Sequence, residues 1–284
     1  MRPETAAASE ADWRDRDRAA LSRAYDNSGA VADSAARLAA WRARSEALRA
    51  RPGHVLDIPY GPGPRNRIDL FACGRPHAPL LAFIHGGYWQ RNAKEGFACM
   101  AEGHLAHGLD VALIGYTLAP EATLTEIADA IGAALRILRV RDVAAGLGRR
   151  RLVVAGWSAG GHLAALALDG PEADAGLAIS GIFDLAPIAR TNLNDALRLT
   201  PEEIETLSPI RRTTPRAAPL VVACGGNELP ELRRQSRDYA AARIAAGLET
   251  HAIELDGADH FSILEALIHP DGRLARIAAD LAQA

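Results

Sequence analysis

The chain reads as an α/β protein built on a mostly parallel, doubly wound sheet, and three observations predict this. Apolar runs such as Leu80-Leu81-Ala82-Phe83-Ile84, Leu152-Val153-Val154-Ala155 and Leu220-Val221-Val222-Ala223-Cys224 fit strands buried on both faces. Segments of helical period separate them, as a sheet with helices on both sides requires. The length, 284 residues, suits one large domain with a sizeable core better than two small ones.

In chain order, residues 10 to 50 predict an alanine- and arginine-rich helical arm, interrupted near Asn27-Ser28-Gly29, with Leu21, Tyr25, Leu38, Trp41 and Leu48 as packing positions. The arm, residues 1–52, ends at the break Pro52-Gly53, and residues 53–284 form the main domain. Strands at 54–58 and 67–71 flank Gly61-Pro62-Gly63-Pro64, whose residue types suit a hairpin or tight loop. Further strands are expected at 80–84, 111–115, 151–155, 175–180, 219–224 and 251–255, with helices near 94–107, 123–145, 159–168, 229–246 and 260–268. The long gap between 180 and 219 holds Phe183-Asp184-Leu185, Thr191-Asn192-Leu193-Asn194 and the helix opening Thr200-Pro201-Glu202-Glu203, and reads as a small cap inserted at about 184–215. The chain shows no internal repeat and no low-complexity linker.

Composition excludes several classes of function. The net charge is −3 and the 32 basic residues, of which Lys94 is the sole lysine, are balanced by 35 dispersed acids, so no basic stripe invites nucleic acid. There is no apolar signal core at the N-terminus and no run of the ~18 to 20 apolar residues that a membrane span needs, which reads as a cytoplasmic protein without membrane contact. Cys73, Cys99 and Cys224 are too few and scattered for a disulfide framework or metal site. No metal and no cofactor is expected; the partner is a small-molecule substrate, and a homodimer is left open.

The richest motif is Gly156-Trp157-Ser158-Ala159-Gly160, which follows an apolar strand and precedes the helix-like His162-Leu163-Ala164-Ala165-Leu166. This is the context of a nucleophile elbow, where flanking glycines permit a sharp turn and the serine stands above the sheet edge at a helix N-terminus. Ser158 is therefore the candidate nucleophile. Acyl transfer also needs N–H donors for the oxygen that gains negative charge. His85-Gly86-Gly87, at the end of another buried strand, can aim the Gly86 and Gly87 amides inward, and Ala159 offers a third.

A serine needs a base, and the base a partner that fixes its tautomer. Of nine histidines, only His260 lies in a glycine- and acid-rich loop after the last strand, Asp256-Gly257-Ala258-Asp259-His260-Phe261. Glu228, in the loop after the strand ending at Cys224, completes the chain order Ser, Glu, His; Asp256 is its rival, and Asp259 is adjacent in sequence and expected to point elsewhere. His85 is read as a prop of the oxyanion turn, His162 as a packing residue, and His104 and His107, three apart on one helix, as surface residues.

These residues carry a resemblance. The run His85-Gly86-Gly87-Tyr88-Trp89-Gln90, the elbow with His162-Leu163, Ser180-Gly181-Ile182-Phe183-Asp184-Leu185-Ala186-Pro187, Leu207-Ser208-Pro209, Pro230-Glu231-Leu232-Arg233-Arg234-Gln235-Ser236 and Asp259-His260-Phe261 together resemble kynurenine formamidases (arylformamidases) of the α/β-hydrolase fold, over about residues 20 to 270. These in turn are similar to hormone-sensitive-lipase-like esterases. The resemblance implies an α/β-hydrolase fold with Ser158, Glu228 and His260 as triad and Gly86, Gly87 and Ala159 as oxyanion donors. It further implies cleavage of the formyl amide of an N-formylated aryl amine such as N-formyl-L-kynurenine, a step of tryptophan catabolism. Glu228 departs from the family's usual aspartate, and Trp157 from the small or polar residue often found before the nucleophile. A formyl group is small, so binding must come from the aryl side, and Tyr88, Trp89, Trp157 and Phe183 are the candidate pocket residues. A carboxylesterase for short acyl esters is the alternative, and a catalytically inactive binding protein on the same fold is a third reading.

Overall fold

The computed structural model describes residues 12–212 and 218–284. The first positions of the expected arm and the end of the expected cap lie outside the described residues. Eight strands, β1 (Val55–Pro59), β2 (Arg67–Phe71), β3 (Leu80–Ile84), β4 (Asp110–Ile114), β5 (Leu152–Trp157), β6 (Ala175–Ile179), β7 (Leu220–Gly225) and β8 (Thr250–Leu255), form one sheet in the order β1-β2-β4-β3-β5-β6-β7-β8. Only β2 runs against its neighbours; from β4 to β8 every pairing is parallel. The described helices are α1 (Arg18–Ala24), α2 (Asn27–Ala30), α3 (Ser34–Arg49), α4 (Ala101–Ala106), α5 (Leu124–Ala144), α6 (Ala159–Ala167), α7 (Asn194–Leu197), α8 (Pro201–Thr206), α9 (Pro230–Ala245), α10 (Glu265–Ile268) and α11 (Arg273–Gln283). This is the α/β-hydrolase fold.

Strand alternation divides the core in two. Leu80, Ala82, Ile84 and Val154 face α5, α6 and α9, where Ile127, Ile131, Leu135, Leu163 and Tyr239 meet them. Leu81, Phe83, Val153 and Ala155 face the other layer, built from Trp41 and Leu48 of α3, Leu267 and Ile268 of α10, and Leu274 and Ala278 of α11. Both faces of the central strands are thus covered, which is why their sequences are continuously apolar. The chain leaves β3 toward β4 on one side, whereas β5 leads to β6 on the other. The crevice at the carboxyl ends of β3 and β5 is the switch point where α/β sheets hold their ligands.

Three helical segments differ from expectation, the one expected over 260–268 being a 3₁₀ turn, Ser262–Leu264, followed by the four-residue α10. The helix expected over 94–107 is a 3₁₀ turn, Lys94–Met100, followed by α4; Phe97 through Met100 are all buried, so no solvent-facing stripe selects the α period there. His104 is not a surface residue. It is fully buried because α10 and α11 cover α4, and burial pushes its imidazole down to about 3. The sequence reading stopped short of α11, whose buried Leu274, Ala275, Ala278, Ala279 and Ala282 fall at helical spacing.

Candidate active site

The elbow is held by close backbone contact. Ser158 sits at φ 57°, ψ −118°, a strained conformation for a residue with a side chain. Its amide donates to the Ile179 carbonyl at 2.8 Å and its carbonyl receives the His162 amide at 3.1 Å, so the serine ends β5 and starts α6 at once. A Cβ at Gly156 would lie 2.1 Å from the Gly160 carbonyl oxygen, and one at Gly160 would lie 2.0 Å from that of Ile84. Only glycine fits at either end of the motif.

The turn after β3 approaches this elbow. A Cβ on Gly86 would stand 2.9 Å from Ser158 Cβ, and Gly87 adopts φ +118°. The peptide groups of the turn are anchored by their carbonyls. The Tyr116 hydroxyl donates to the His85 carbonyl at 2.9 Å, while His85 Nδ1 and Asn92 Nδ2 donate to the Gly86 carbonyl at 2.9 and 3.1 Å. In a trans peptide the N–H points opposite to the C=O, so these bonds fix the directions of the Gly86 and Gly87 amides. Among the described residues neither amide, nor that of Ala159, finds a protein acceptor, as an anion-binding turn at a helix N-terminus requires. His85 is stacked between Phe97 and Tyr116, and burial lowers its pKa to about 4.

Glu228 and His260 are brought together from the loops after β7 and β8. Glu228 Oε2 lies 3.0 Å from His260 Nδ1, with both side chains buried. Its other oxygen, Oε1, accepts from the Gly225 amide and the Ser180 hydroxyl, both at 2.6 Å. Trp157 donates its indole N–H to the His260 carbonyl at 2.8 Å, and its ring lies 5.0 Å from the imidazole. Asp256 is exposed, and Asp259 accepts from the Phe261 and Ser262 amides at 2.8 and 2.7 Å, tying the histidine loop. His260 Nε2 faces Asn27 Nδ2 of the arm at 3.1 Å, and Ser158 Oγ makes no hydrogen bond among the described residues.

The four aromatics do not form one pocket. Phe183 is fully buried and stacked on Tyr239 at 4.4 Å in the core, and Trp89 is fully buried edge-on against His162 at 4.9 Å, so both are occupied by packing. Trp157 supports His260, and Tyr88 lines a cavity of about 230 Å³ together with Tyr25, Asp26, Asn27 and Arg91. Sequence reasoning missed Asn27 and Ser180. Ser180 stands at the carboxyl end of β6, a position that could have marked it, whereas the Asn27-Ser28-Gly29 break signals only a helix interruption. No group of three His, Cys, Asp or Glu side chains able to hold a metal ion occurs among the described residues.

Comparison with known proteins finds related hydrolases. The BD-FAE family model matches residues 69–174, which carry both the His85-Gly86-Gly87 turn and the elbow. A kynurenine formamidase of Salmo salar is 30% identical over 250 residues, covering 82% of this chain and 83% of that protein, and one of Danio rerio is 29% identical over 258 residues, covering 85% and 86%. A Silicibacter sp. TM1040 protein, whose solved structure carries a provisional thioesterase label, superposes with a TM-score of 0.81 at 29% identity, covering 91% of this chain and 98% of that one. On the match to its Salmo salar relative, 30% identical over 82% of the chain, the chain belongs to the kynurenine formamidase family of α/β-hydrolases.

Proposed function

We propose that the protein is a cofactor-independent serine hydrolase that cleaves the formyl amide of N-formylated aryl amines, N-formyl-L-kynurenine among them, in the cytoplasm. The observation that carries this reading is the buried Glu228–His260 pair beside the strained Ser158 elbow. With the Nδ1 proton directed at Glu228, Nε2 is the unprotonated nitrogen and, once substrate displaces Asn27 Nδ2 from it, takes the Ser158 proton as Oγ attacks the formyl carbon. The oxygen of the tetrahedral intermediate gains its charge next to the Gly86, Gly87 and Ala159 amides. His260 then gives the proton to the aryl nitrogen, the C–N bond breaks, and the free amine leaves a formyl ester on Ser158. Water, deprotonated by the same imidazole, releases formate and restores the hydroxyl.

Hydrolysis of short acyl esters is the second reading, because the same triad and amides serve an ester carbonyl and a Mycobacterium tuberculosis relative, 27% identical over 75% of this chain, is named an esterase. Measuring kcat/KM side by side for N-formyl-L-kynurenine and p-nitrophenyl acetate decides between them. The formamidase reading requires the formamide to be the better substrate; a preference for the ester overturns it. Absence of a fluorophosphonate adduct on Ser158 in folded protein would overturn both.

A further inference from the structure

The leaving amine has to arrive on the side of His260 that faces the arm, because Nε2 is the nitrogen that hands it a proton. Asn27 Nδ2 occupies that side at 3.1 Å from Nε2, and its other neighbour, the Tyr88 hydroxyl at 3.0 Å, donates to the Tyr25 carbonyl at 2.6 Å. Asn27, Tyr88 and Tyr25 are also walls of the cavity of about 230 Å³ beside the arm. A substrate nitrogen that takes the place of Nδ2 therefore has this cavity next to it for the rest of the leaving group.

The cavity is lined by charge of both signs. Arg23, Arg91 and Asp26 all border it. Other arginines of the arm are paired, Arg18 with Asp195 at 2.5 Å and Arg16 with Glu231 at 3.6 Å. The guanidinium groups of Arg23 and Arg91 make no ion pair and no hydrogen bond among the described residues. Asp26 accepts the Gly29 amide at 3.0 Å through Oδ1, which leaves Oδ2 without a hydrogen bond among the described residues. These charges are felt at the wall nearest the imidazole. Burial holds the Tyr88 hydroxyl well above its usual range, the Asp26 carboxylate adds to that, and the Arg91 guanidinium opposes it.

An aryl amine of the kynurenine type carries an α-carboxylate and an α-ammonium on one carbon, a few bonds from the scissile nitrogen. A guanidinium holds a carboxylate through two parallel N–H donors, and a carboxylate oxygen accepts from an ammonium. We infer that the cavity bordered by Arg23, Arg91 and Asp26 receives this amino-acid end, with the two arginines on the α-carboxylate and Asp26 on the α-ammonium. The three are specificity-determining residues, since the triad meets only the formyl amide. The inference rests on the formamide reading above and adds that the enzyme favours N-formylated aryl amines bearing a zwitterionic amino acid over uncharged ones.

The test is kcat/KM for three formamides: N-formyl-L-kynurenine, its analogue without the α-amino group, and the ortho-formamido phenyl methyl ketone, which lacks both charges. Wild type should prefer both acids to the ketone. Arg91→Gln, and more so Arg91→Gln with Arg23→Gln, should lower the ratio of either acid to the ketone by about tenfold to a hundredfold, mainly through KM, as loss of hydrogen bonds to a charged group does. Asp26→Asn keeps an acceptor for the Gly29 amide and should lower the ratio of N-formyl-L-kynurenine to its deamino analogue by about tenfold. Turnover of the ketone shows that each variant is folded. Ratios held at their wild-type values, losses shared equally by all three formamides, or a wild type without preference for the acids would overturn the inference and leave the formamide reading standing. A wild type inert to all three formamides and active on p-nitrophenyl acetate would overturn the formamide reading and this inference with it.

Discussion

Ser180 and His260 hold opposite oxygens of one carboxylate: Ser180 Oγ lies 2.6 Å from Glu228 Oε1 while His260 Nδ1 lies 3.0 Å from Oε2. Because the Gly225 amide also donates to Oε1, a glutamine at 228 must place its carbonyl oxygen there and turn its NH₂ toward Nδ1. Nδ1 would then have to accept, and the proton would move to Nε2, the wrong tautomer for a base. Glu228→Gln should lower kcat on the order of 10⁴-fold, as in other triads so altered, and Ser180→Ala about tenfold through loss of one charge-assisted bond. Asp256→Asn, at an exposed position, should leave turnover near wild type. Steady-state kinetics of the three variants check this, and a larger loss for Asp256→Asn would refute it.

On the proposed mechanism Ser158 and His260 act as a unit, so their losses should not add. Ser158→Ala or His260→Ala alone should remove nearly all turnover, and the double variant should be little worse, leaving about 10³ to 10⁴ over the uncatalysed rate from amide donors and binding. Losses that multiply in the double variant would show that the two residues act separately.

The legible parts of this protein were those written in contiguous residues. β3, β5 and β7 were readable because both of their faces are covered, leaving unbroken apolar runs. The elbow was readable because both glycines and the serine lie within five contiguous residues that directly follow an apolar strand. Glu228 and His260 could be placed because each follows an identifiable strand. Asn27 could not, since its partner His260 is 233 positions away and a short polar break in a helical arm looks like any other turn. Nor does an aromatic residue announce its side of the sheet, so Phe183 and Trp89 read as pocket residues although the core holds them.

Lys94, the sole lysine, is a structural charge. It is 3% exposed, and its Nζ lies 2.7 Å from both Asp57 and the fully buried Asp69, and 2.8 Å from Glu95. Arg49 also pairs with Asp69. Lys94→Met should destabilise the fold by about 3 kcal/mol, the low end for a broken buried pair, because Arg49 keeps part of the compensation. Adding Asp69→Asn should recover part of the loss, since the carboxylate no longer needs a counter-charge. Denaturant unfolding of the single and double variants reads both effects, and a further full-size loss in the double variant would contradict the argument.

Acid sensitivity should follow from the histidines buried in the neutral form. His104 is pushed down to about 3, first by burial and then by the nearby His107 charge, and burial lowers His85 and His162 to about 4 each, the Gly86 and Leu207 carbonyls opposing it. In the unfolded chain all three return to about 6.5. Between about pH 6.5 and 4 the unfolded state therefore binds protons that the native state does not, so unfolding free energy rises with pH across that window and falls on acidification. Each such histidine contributes a slope of about 1.4 kcal/mol per pH unit. His104 lies away from the active site with neither ring nitrogen bonded among the described residues, so His104→Leu can remove one titration without touching the chemistry. Urea unfolding of wild type and His104→Leu from pH 4.5 to 6 should show the variant's slope shallower by about 1.4 kcal/mol per unit. Parallel slopes would mean that His104 takes up its proton in the folded state, and the buried neutral assignment would fail.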